Sequence, residues 1–496
     1  NVTGQINVNG SALSAAPEIT ATASGAIAAH KPVIINSSGQ AEEVNIPADA
    51  FGSGAEASTS GISGVRVIGN GAGQYILAWI SSAQIKAKVV SISGTTVSYG
   101  AQTTLNNSGG QGGYHHFDMC YVPGKTCYAL VFDHSSGVST LTFTVSGTTI
   151  TVGTRRGINS NNENSFAIAA VTKVGDPGYS VGAFSILHND ASYSRYFIRA
   201  CVVSTEGANF APVIKSSDYW SAGSSNFISK AAYHEGDGRF YGVKRATSGG
   251  DLRVLSWTVN TAGGGISKDG QGTTLVSNAG NDEQLNNSLV YEPNSNKLIL
   301  GYTKSSNYEA VVQTIIYTSG TSYSLGTALS LGNNRVYIYL AEFNGKIYAT
   351  YCDGSSQNDR GDLQIRPITI SGTTLTAGTE TEISSDDHRQ GSCVGGNTGI
   401  FIGYRNQDSS SRPTGYFYKA GTTNLTDENF VGFSSAAISN GASGTVAVTG
   451  NTTTQSSLTP GQKYYVQGSG TLSTTADSPS VEAGIALSST KLLIKG

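Results

Sequence analysis

One short pattern recurs seven times along the chain and constrains its fold more than any other feature. Each copy is a turn followed by an apolar run that holds one Gly, or one Ala, usually beside an aromatic residue. The small residues lie about 54 residues apart on average, a period found in propeller blades and repeat arrays. The runs are QYILAWI (74–80), TCYALVFD (126–133), YSVGAFSI (179–186), RFYGVKRA (239–246), KLILGYTK (297–304), KIYATYCD (346–353) and IFIGYRNQ (400–407), and their small residues are Ala78, Ala129, Gly182, Gly242, Gly301, Ala349 and Gly403.

Each repeat predicts four antiparallel strands. Another strand pattern precedes the turn, a third follows the run, and a fourth follows a Ser-Gly turn that begins at Ser93, Ser146, Ser319 or Ser371. An isolated four-stranded sheet has two edges and little core, whereas a radial arrangement buries the faces of neighbouring sheets. The fold class is therefore predicted to be all-β, a seven-bladed β-propeller of four-stranded antiparallel blades, with a β-solenoid or a string of small sandwiches as the alternatives. The small residue lets adjacent blades approach closely.

The two ends of the chain depart from the repeat. The seventh repeat lacks a Ser-Gly fourth strand, and residues 39–54 occupy the position where such a strand would precede the first blade. We therefore expect the propeller to span residues 39–432 and to be closed by an N-terminal strand. Residues 433–496 predict a C-terminal β-module, to which the N-terminal segment 1–38 is a candidate contributor, because PGQKYYVQGSGTL (460–472) parallels AHKPVIINSSGQA (29–41).

Charge and composition exclude several classes of function. The formal net charge is −3 and no run of Lys or Arg occurs, so we expect no nucleic-acid partner. No segment approaches the roughly 20 apolar residues of a membrane span, so no membrane insertion is expected. The chain begins at Asn1 rather than Met, which leaves a cleaved signal or an upstream anchoring domain open.

The five cysteines show no metal-binding or disulfide-scaffold spacing. Cys120 and Cys127 flank one turn and would face each other if that turn has two residues, so a cross-strand disulfide is an alternative. Two buried thiols are the preferred interpretation, because a free Cys packs as a small hydrophobe.

Several groups of residues resemble active or metal sites. Neighbouring His side chains on a strand point to opposite faces, which favours a structural role for the cluster that contains them. Two carboxylates end equivalent strands in different blades and would have to lie about 5–10 Å apart to act as a glycosidase pair. The cluster is Tyr114, His115, His116, Asp118 and Cys120, and the carboxylates are Asp133 and Asp353.

Other loop motifs are weaker. Arg360, Gly361 and Asp362 form an RGD tripeptide in an acidic loop that could also hold Ca²⁺ but lacks the EF-hand spacing. Repeated Asp-boxes and a GxSxG motif are absent from the sequence. The sequence therefore assigns no catalytic, cofactor-binding or metal-binding residue and predicts a protein that is not an enzyme and uses no cofactor.

Three sequence elements resemble propeller-containing phage tail-fibre or virion-appendage proteins, notably those of marine cyanophages. They are NSNKLILGY with a VSGTT-type hairpin, NFVGFSSAAISNG, and the ending from LTPGQKYYVQGSG to SSTKLLIKG. The resemblance spans nearly the whole chain and is most specific at the C-terminal end. It implies location in the virion and other virion proteins as partners, with no catalytic residue to carry over.

The expected function is that of a bacteriophage virion structural protein, in a tail fibre, appendage or capsid-attached fibre. Whether propeller loops also bind a host-surface glycan or receptor is left open by the sequence. The sequence likewise leaves open whether the chain forms a homo-oligomer. Two alternatives remain at this point. One is an extracellular propeller that binds or cleaves glycans with aromatic loop residues such as Tyr219 and Trp220, and the other is a bacterial extracellular adhesin.

Overall fold

A computed structural model describes residues 7–8, 11–12, 17–106, 117–134, 137–160, 165–190, 195–204, 211–221, 226–246, 251–260, 265–268, 274–277, 288–304, 307–319, 322–354, 361–477 and 479–495. The chain forms two compact units, residues 50–419 and residues 1–49 with 420–496. No helix among the described residues is long and apolar enough to cross a membrane.

The strands in chain order begin with seven short ones. These are β1 (Asn7–Val8), β2 (Ser11–Ala12), β3 (Glu18–Thr22), β4 (Pro32–Ile35), β5 (Ala41–Glu43), β6 (Ala50–Phe51) and β7 (Ala55–Glu56). Blades 1 to 3 follow, with β8 (Gly64–Gly69), β9 (Tyr75–Ser81), β10 (Gln84–Ser93), β11 (Thr96–Tyr99), β12 (Thr103–Asn106); β13 (Phe117–Val122), β14 (Cys127–His134), β15 (Gly137–Ser146), β16 (Thr149–Val152), β17 (Arg156–Gly157); β18 (Phe166–Ala170), β19 (Phe184–Asp190), β20 (Arg195–Ser204) and β21 (Ala211–Ser221).

Blades 4 to 7 and the C-terminal strands complete the chain. They are β22 (Asn226–His234), β23 (Arg239–Ala246), β24 (Leu252–Asn260), β25 (Gly265–Lys268), β26 (Thr274–Val276); β27 (Ser288–Glu292), β28 (Lys297–Thr303), β29 (Ala310–Ser319), β30 (Ser322–Leu325), β31 (Leu329–Gly332); β32 (Arg335–Phe343), β33 (Lys346–Asp353), β34 (Gly361–Ser371), β35 (Thr374–Ala377); β36 (Thr381–Gly395), β37 (Ile400–Asn406), β38 (Arg412–Lys419); β39 (Phe430–Ser434), β40 (Ser443–Ala447), β41 (Thr452–Thr454), β42 (Lys463–Val466), β43 (Leu472–Ser473), β44 (Val481–Ala486) and β45 (Lys491–Ile494). A 3-10 turn spans Pro123–Lys125 and a one-turn helix, α1, spans Pro177–Ser180.

Residues 50–419 form a β-propeller. Among the described residues, successive units of four antiparallel strands follow one another; four of these units carry a fifth short strand, and the last two share one nine-stranded sheet. The first strand of each unit contacts the first strand of the next, and β36 contacts β8, which closes the ring. The prediction of an all-β propeller built from four-stranded antiparallel sheets is confirmed.

The core of the propeller lies between blades. Among the described residues, six clusters of buried side chains each combine residues from two successive blades. A Cβ atom on Gly403 would lie 2.6 Å from Leu77 and Val67 of blade 1, and one on Gly242 would lie 2.5 Å from Leu187 of blade 3. These distances are shorter than real contacts allow, so the small residue in the second strand has the packing role that the sequence predicts.

The third repeat differs from the predicted pattern. Gly182 lies before β19 in a turn with φ +65°, and not in the second strand. Asp176 caps α1 by accepting from the Gly178 N–H at 2.7 Å, and Pro177 begins the helix. The second strand of this blade begins only after the helix, at Phe184, and its small residue is Ser185, which pairs with Ala169.

N-terminal strands close the seventh blade. Ala50–Phe51 and Ala55–Glu56 pair with β38 in antiparallel register. Ala50–Phe51 lies within the predicted closing segment 39–54 and Ala55–Glu56 directly follows that segment, whereas Ala41–Glu43 pairs with β4 in the other unit. The units thus divide at 49/50 and 419/420 rather than at the predicted 38/39 and 432/433, because β5 and β39 both pair with β4.

Residues 1–49 and 420–496, here called the module, contain two five-stranded sheets of the same strand order. The first is β3-β40-β39-β4-β5 and the second is β41-β45-β44-β42-β43, so each strand of one has a counterpart of the same chain rank in the other. The sheets share one apolar cluster.

Local geometry confirms the equivalence of the two sheets. Gly432 has φ +151° and a Cβ there would lie 2.0 Å from the Ala447 carbonyl oxygen. Gly484 has φ +149° and a Cβ there would lie 1.9 Å from the Leu493 carbonyl oxygen. The module is therefore an internal repeat, and the propeller is inserted between the third and fourth strands of its first copy.

Candidate functional site

One pocket of the propeller lies where the first strands of five blades converge. Its volume is about 310 Å³. Val290, Leu340 and Val394 are among its apolar lining residues, and polar side chains line it as well. These polar residues are Arg66, Lys230, Ser288, Tyr339, Glu342 and Ser392. A pocket of this composition is the first place to look for ligand binding.

Asp118 forms a charged cluster with two of the pocket-lining cations. Its Oδ1 accepts from Lys230 Nζ at 2.8 Å and lies 3.9 Å from Arg66 Nε, while its Oδ2 accepts from the Ile168 N–H at 3.2 Å. The Asp118 side chain is only 3% exposed, so its charge requires these partners. One carboxylate in blade 2 therefore joins blades 1, 3 and 4.

Three further contacts repeat the bond between Asp118 and Ile168. Ser165 Oγ accepts from the Ile228 N–H, Ser288 Oγ from Leu340 N–H at 2.9 Å, and Tyr339 Oη from Gly391 N–H at 3.0 Å. In each case, a side chain at the start of or in the first strand of one blade satisfies a backbone N–H on the inner edge of the next. We call Asp118, Ser165, Ser288 and Tyr339 the axial belt. It satisfies edge donors that a sheet would otherwise expose toward the axis.

Bulges in the first strands of three blades lie next to residues that form these axial contacts. The first strands of blades 4, 6 and 7 have register shifts between Ile228 and Lys230, Val336 and Tyr339, and Arg389 and Gly391. A bulge adds a residue to one strand and redirects the following side chains. Tyr337 and Gln390 adopt positive φ at these places, 57° and 39°. Only the shift in blade 7 contains a glycine, Gly391, whereas neither glycine nor proline stands at the shifts of blades 4 and 6.

Two cysteine thiols and one glutamate beside the charged cluster have raised pKa values. Burial raises the pKa of the Cys393 thiol to about 12 and that of Cys120 well above its usual value, so both remain protonated. Burial also raises the pKa of Glu342, whose Oε1 accepts from the Gly345 N–H at 3.0 Å and holds the following turn.

A histidine network in blade 7 was missed by the sequence reasoning. His388 Nε2 lies 2.7 Å from Tyr416 Oη, its Nδ1 lies 2.5 Å from the Asp386 carbonyl oxygen, and Asn406 donates to Asp386 Oδ2 at 2.8 Å. Burial lowers the pKa of His388, which favours the neutral ring. The spacing of these residues along the chain carries no motif, because the strand pairing brings them together.

The first predicted cluster is only partly described. Tyr114, His115 and His116 lie outside the described residues. Asp118 and Cys120 lie on β13, where Asp118 pairs with Lys230. Among the described residues, no group of three His, Cys, Asp or Glu side chains could hold a metal ion.

The other singled-out residues also have structural partners. Asp133 is 1% exposed at the end of β14, whereas Asp353 is half-exposed and pairs with Arg335 at 2.6 Å. They belong to blades 2 and 6, which are not neighbours in the ring. Gly361 and Asp362 begin β34, while Arg360 lies outside the described residues.

Cys120, Cys127, Tyr219 and Trp220 all lie in strands of the propeller. The structure pairs Cys127 with Val122 and Cys120 with Ala129, and both thiols are free, so the turn is longer than the disulfide alternative requires. Tyr219 and Trp220 lie in β21 and not in a loop. Trp220 is 4% exposed and the Arg195 guanidinium lies 4.2 Å from the Tyr219 ring centre, so stacking of both rings on a sugar, as suggested by the sequence, is wrong for this conformation.

No protein-family model and no curated protein matches the chain. Solved structures do match it. A protein from Lactobacillus plantarum is 9% identical, with 75% of this chain and 97% of that chain covered and a TM-score of 0.46. Sqt1 from Chaetomium thermophilum is 14% identical, with 75% and 100% covered and a TM-score of 0.43. The periplasmic gluconolactonase PpgL from Pseudomonas aeruginosa is 10% identical, with 74% and 96% covered and a TM-score of 0.43.

Proposed function

We propose that the chain is a structural protein of a bacteriophage virion, in a tail fibre or similar appendage. In this proposal the module joins the chain to other virion proteins, and the propeller is exposed as a spacer or as the part that binds the host surface. The observation that carries the proposal is the insertion of residues 50–419 between two strands of the first module sheet. The sequence resemblance to phage appendage proteins supports the same conclusion.

The insertion tethers the propeller at both of its ends. Ala50 pairs with Lys419 where the chain enters and leaves the propeller, and the Gly421 N–H donates to Asp49 Oδ1 at 2.7 Å within the module. A domain inserted in this way is joined to its host domain by two chain connections instead of one.

The axial belt supports a scaffold role for the propeller. Asp118, the buried carboxylate nearest the pocket cations, is used to join four blades rather than left with a free oxygen pair. Loops on a rigid scaffold are well placed for recognition. In an up-and-down blade the second-to-third and fourth-to-first connections share one rim, and we propose this rim as the host-facing surface.

The test is to locate the protein in purified particles. Particles of the encoding phage are purified on a density gradient, digested for mass spectrometry and labelled with gold-conjugated antibody against residues 50–419. We expect a constant copy number per particle and gold at the appendages. A protein that remains in the soluble lysate and is absent from infectious particles would refute the proposal.

A second experiment separates a spacer from a receptor binder. Purified protein is added to host cells before infection, and phage adsorption is measured. A saturable reduction of adsorption without release of sugar indicates a receptor binder, and no reduction indicates a spacer. Release of reducing sugar from host polysaccharide by the purified protein would instead establish the glycan-cleaving alternative.

A further inference from the structure

Two cations lie side by side in blade 4 without a carboxylate. Lys244 in β23 and Arg253 in β24 are directly opposite each other in the antiparallel register. Lys244 is only 3% exposed. Neither side chain forms an ion pair with any residue in the described part of the chain, although buried basic groups are rarely left without one.

A tyrosine of blade 3 faces the same place. The Lys244 Nζ lies 4.3 Å from the centre of the Tyr196 ring, and Tyr196 is fully buried. Its hydroxyl has no hydrogen-bond partner in the described part of the chain, and the same holds for the buried Arg253 Nε. Three donor-bearing side chains from two blades therefore converge with no carboxylate among them.

The arrangement is costly unless a further group neutralises it. Burial, and then repulsion by Arg253, lowers the pKa of Lys244 to about 8. A cation over an aromatic ring is stabilised by the ring quadrupole, but the ring does not cancel its charge. Two like charges in a desolvated position favour the entry of an anion that accepts hydrogen bonds from both.

We propose that Lys244, Arg253 and Tyr196 bind a small inorganic oxyanion, of the phosphate or sulfate type, between blades 3 and 4. The ammonium and the guanidinium donate to the anion, and the tyrosine hydroxyl supplies a third donor. Lys244 is too deeply buried for a polymer to reach, so the ligand is a free ion rather than an acidic group on a glycan. The bound ion joins two adjacent blades and stabilises the propeller.

The experiment compares sodium phosphate with sodium chloride at equal ionic strength. The full-length chain is melted while tryptophan fluorescence is recorded, and Trp220 and Trp257 report directly on blades 3 and 4. Because a ligand that binds only the folded state raises its stability, we expect a saturable rise in melting temperature with phosphate that chloride does not produce. Sulfate should produce the same rise, and calorimetry should give one ion per chain.

Variants decide whether the three residues form the site. Lys244→Met and Arg253→Met should abolish the phosphate-specific rise, and Tyr196→Phe, which removes only the hydroxyl, should weaken phosphate binding about five- to tenfold. Lys346→Met removes an exposed cation of blade 6 and should leave the rise unchanged. Two outcomes would overturn the proposal. One is an equal change of melting temperature in phosphate and in chloride, and the other is an undiminished phosphate-specific rise in melting temperature in both methionine variants. If either methionine variant fails to fold, the result with Tyr196→Phe decides.

Discussion

The Asp118 carboxylate offers the most direct test of how the propeller is held together. We consider Asp118→Asn, which removes the charge but keeps an oxygen that can accept from the Ile168 N–H, and Asp118→Ala, which removes both. Lys230→Met is the partner variant, because Lys230 Nζ lies 2.8 Å from the carboxylate. The four combinations of the Ala and Met changes form a double-mutant cycle.

The expected magnitude follows from distance and burial. Two unit charges at 2.8 Å attract by about 6 kcal/mol at an effective dielectric constant of about 20. Removing one partner of a fully buried pair typically costs about 3–5 kcal/mol. The Lys230 side chain is 32% exposed, so water replaces part of the loss when the carboxylate is removed. We expect the free energy of unfolding to fall by about 2 kcal/mol for Asp118→Asn and by about 3 kcal/mol for Asp118→Ala. The coupling energy between Asp118 and Lys230 should be about 1–2 kcal/mol.

The assay is urea unfolding followed by tryptophan fluorescence. All three tryptophans, Trp79, Trp220 and Trp257, lie in the propeller and are buried, so the signal reports the propeller and not the module. A matched control is Glu309→Gln, which breaks a 2.7 Å ion pair with the more exposed Lys304. That pair should contribute at most about 1 kcal/mol.

Two results would refute the reasoning. One is a decrease in the free energy of unfolding for Asp118→Asn that is no larger than the decrease for Glu309→Gln. The other is a coupling energy of zero, which would mean that Asp118 and Lys230 act independently despite their contact. In either case the contacts of the axial belt would form because the propeller ring is closed, and they would not stabilise the closed ring.

Three further predictions concern other parts of the chain. The depressed pKa of Lys244 penalises the folded state while the ammonium is charged, so in phosphate-free buffer the stability of the wild type relative to Lys244→Met should rise by up to about 3 kcal/mol between pH 7 and pH 10.5, measured by urea unfolding; a flat difference would contradict this. Gly403→Val should lower stability by about 1–3 kcal/mol or more in thermal melts because its side chain would overlap Leu77, whereas Gly157→Ala, with open space around it, should have little effect. Replacing residues 50–419 by a short linker should leave a module that melts cooperatively by circular dichroism, since the remaining ends lie close together, with the Gly421 N–H donating to Asp49 Oδ1 at 2.7 Å; a spectrum without β structure would show that the module depends on its insert.

The repeat made the propeller predictable because a blade is a local unit. Strands joined by tight turns lie next to each other both in the chain and in space, so turns and small residues such as Gly242 and Gly403 marked them correctly. The prediction that Gly182 lies in the second strand of its blade was wrong, because α1 interrupts the regular spacing in the third repeat. The similarity of segments 29–41 and 460–472 suggested that the two chain ends form one β-module. The duplication within that module was not predicted, because the equivalence of Gly432 and Gly484 becomes visible only from the strand pairing.

The axial cluster could not be predicted in the same way. The sequence places Asp118 beside His115 and His116, and that proximity suggested a metal cluster. Its actual partner, Lys230, is 112 positions away. Such a contact depends on ring closure, which brings first strands of non-adjacent blades to one axis. The contact also depends on bulges in those strands, and the residue types at Lys230 and Tyr339 do not indicate that a bulge is present.

The position of the propeller within one copy of the repeated module affects how the chain can evolve. One uninterrupted stretch of the gene encodes residues 50–419, and its two junctions meet in space where Ala50 pairs with Lys419. Two recombination events at these junctions can replace the whole insert with another domain whose ends lie equally close. The second module sheet has the corresponding connection between Ser473 and Val481, still short. That connection is a second position at which the same architecture can accept a new domain.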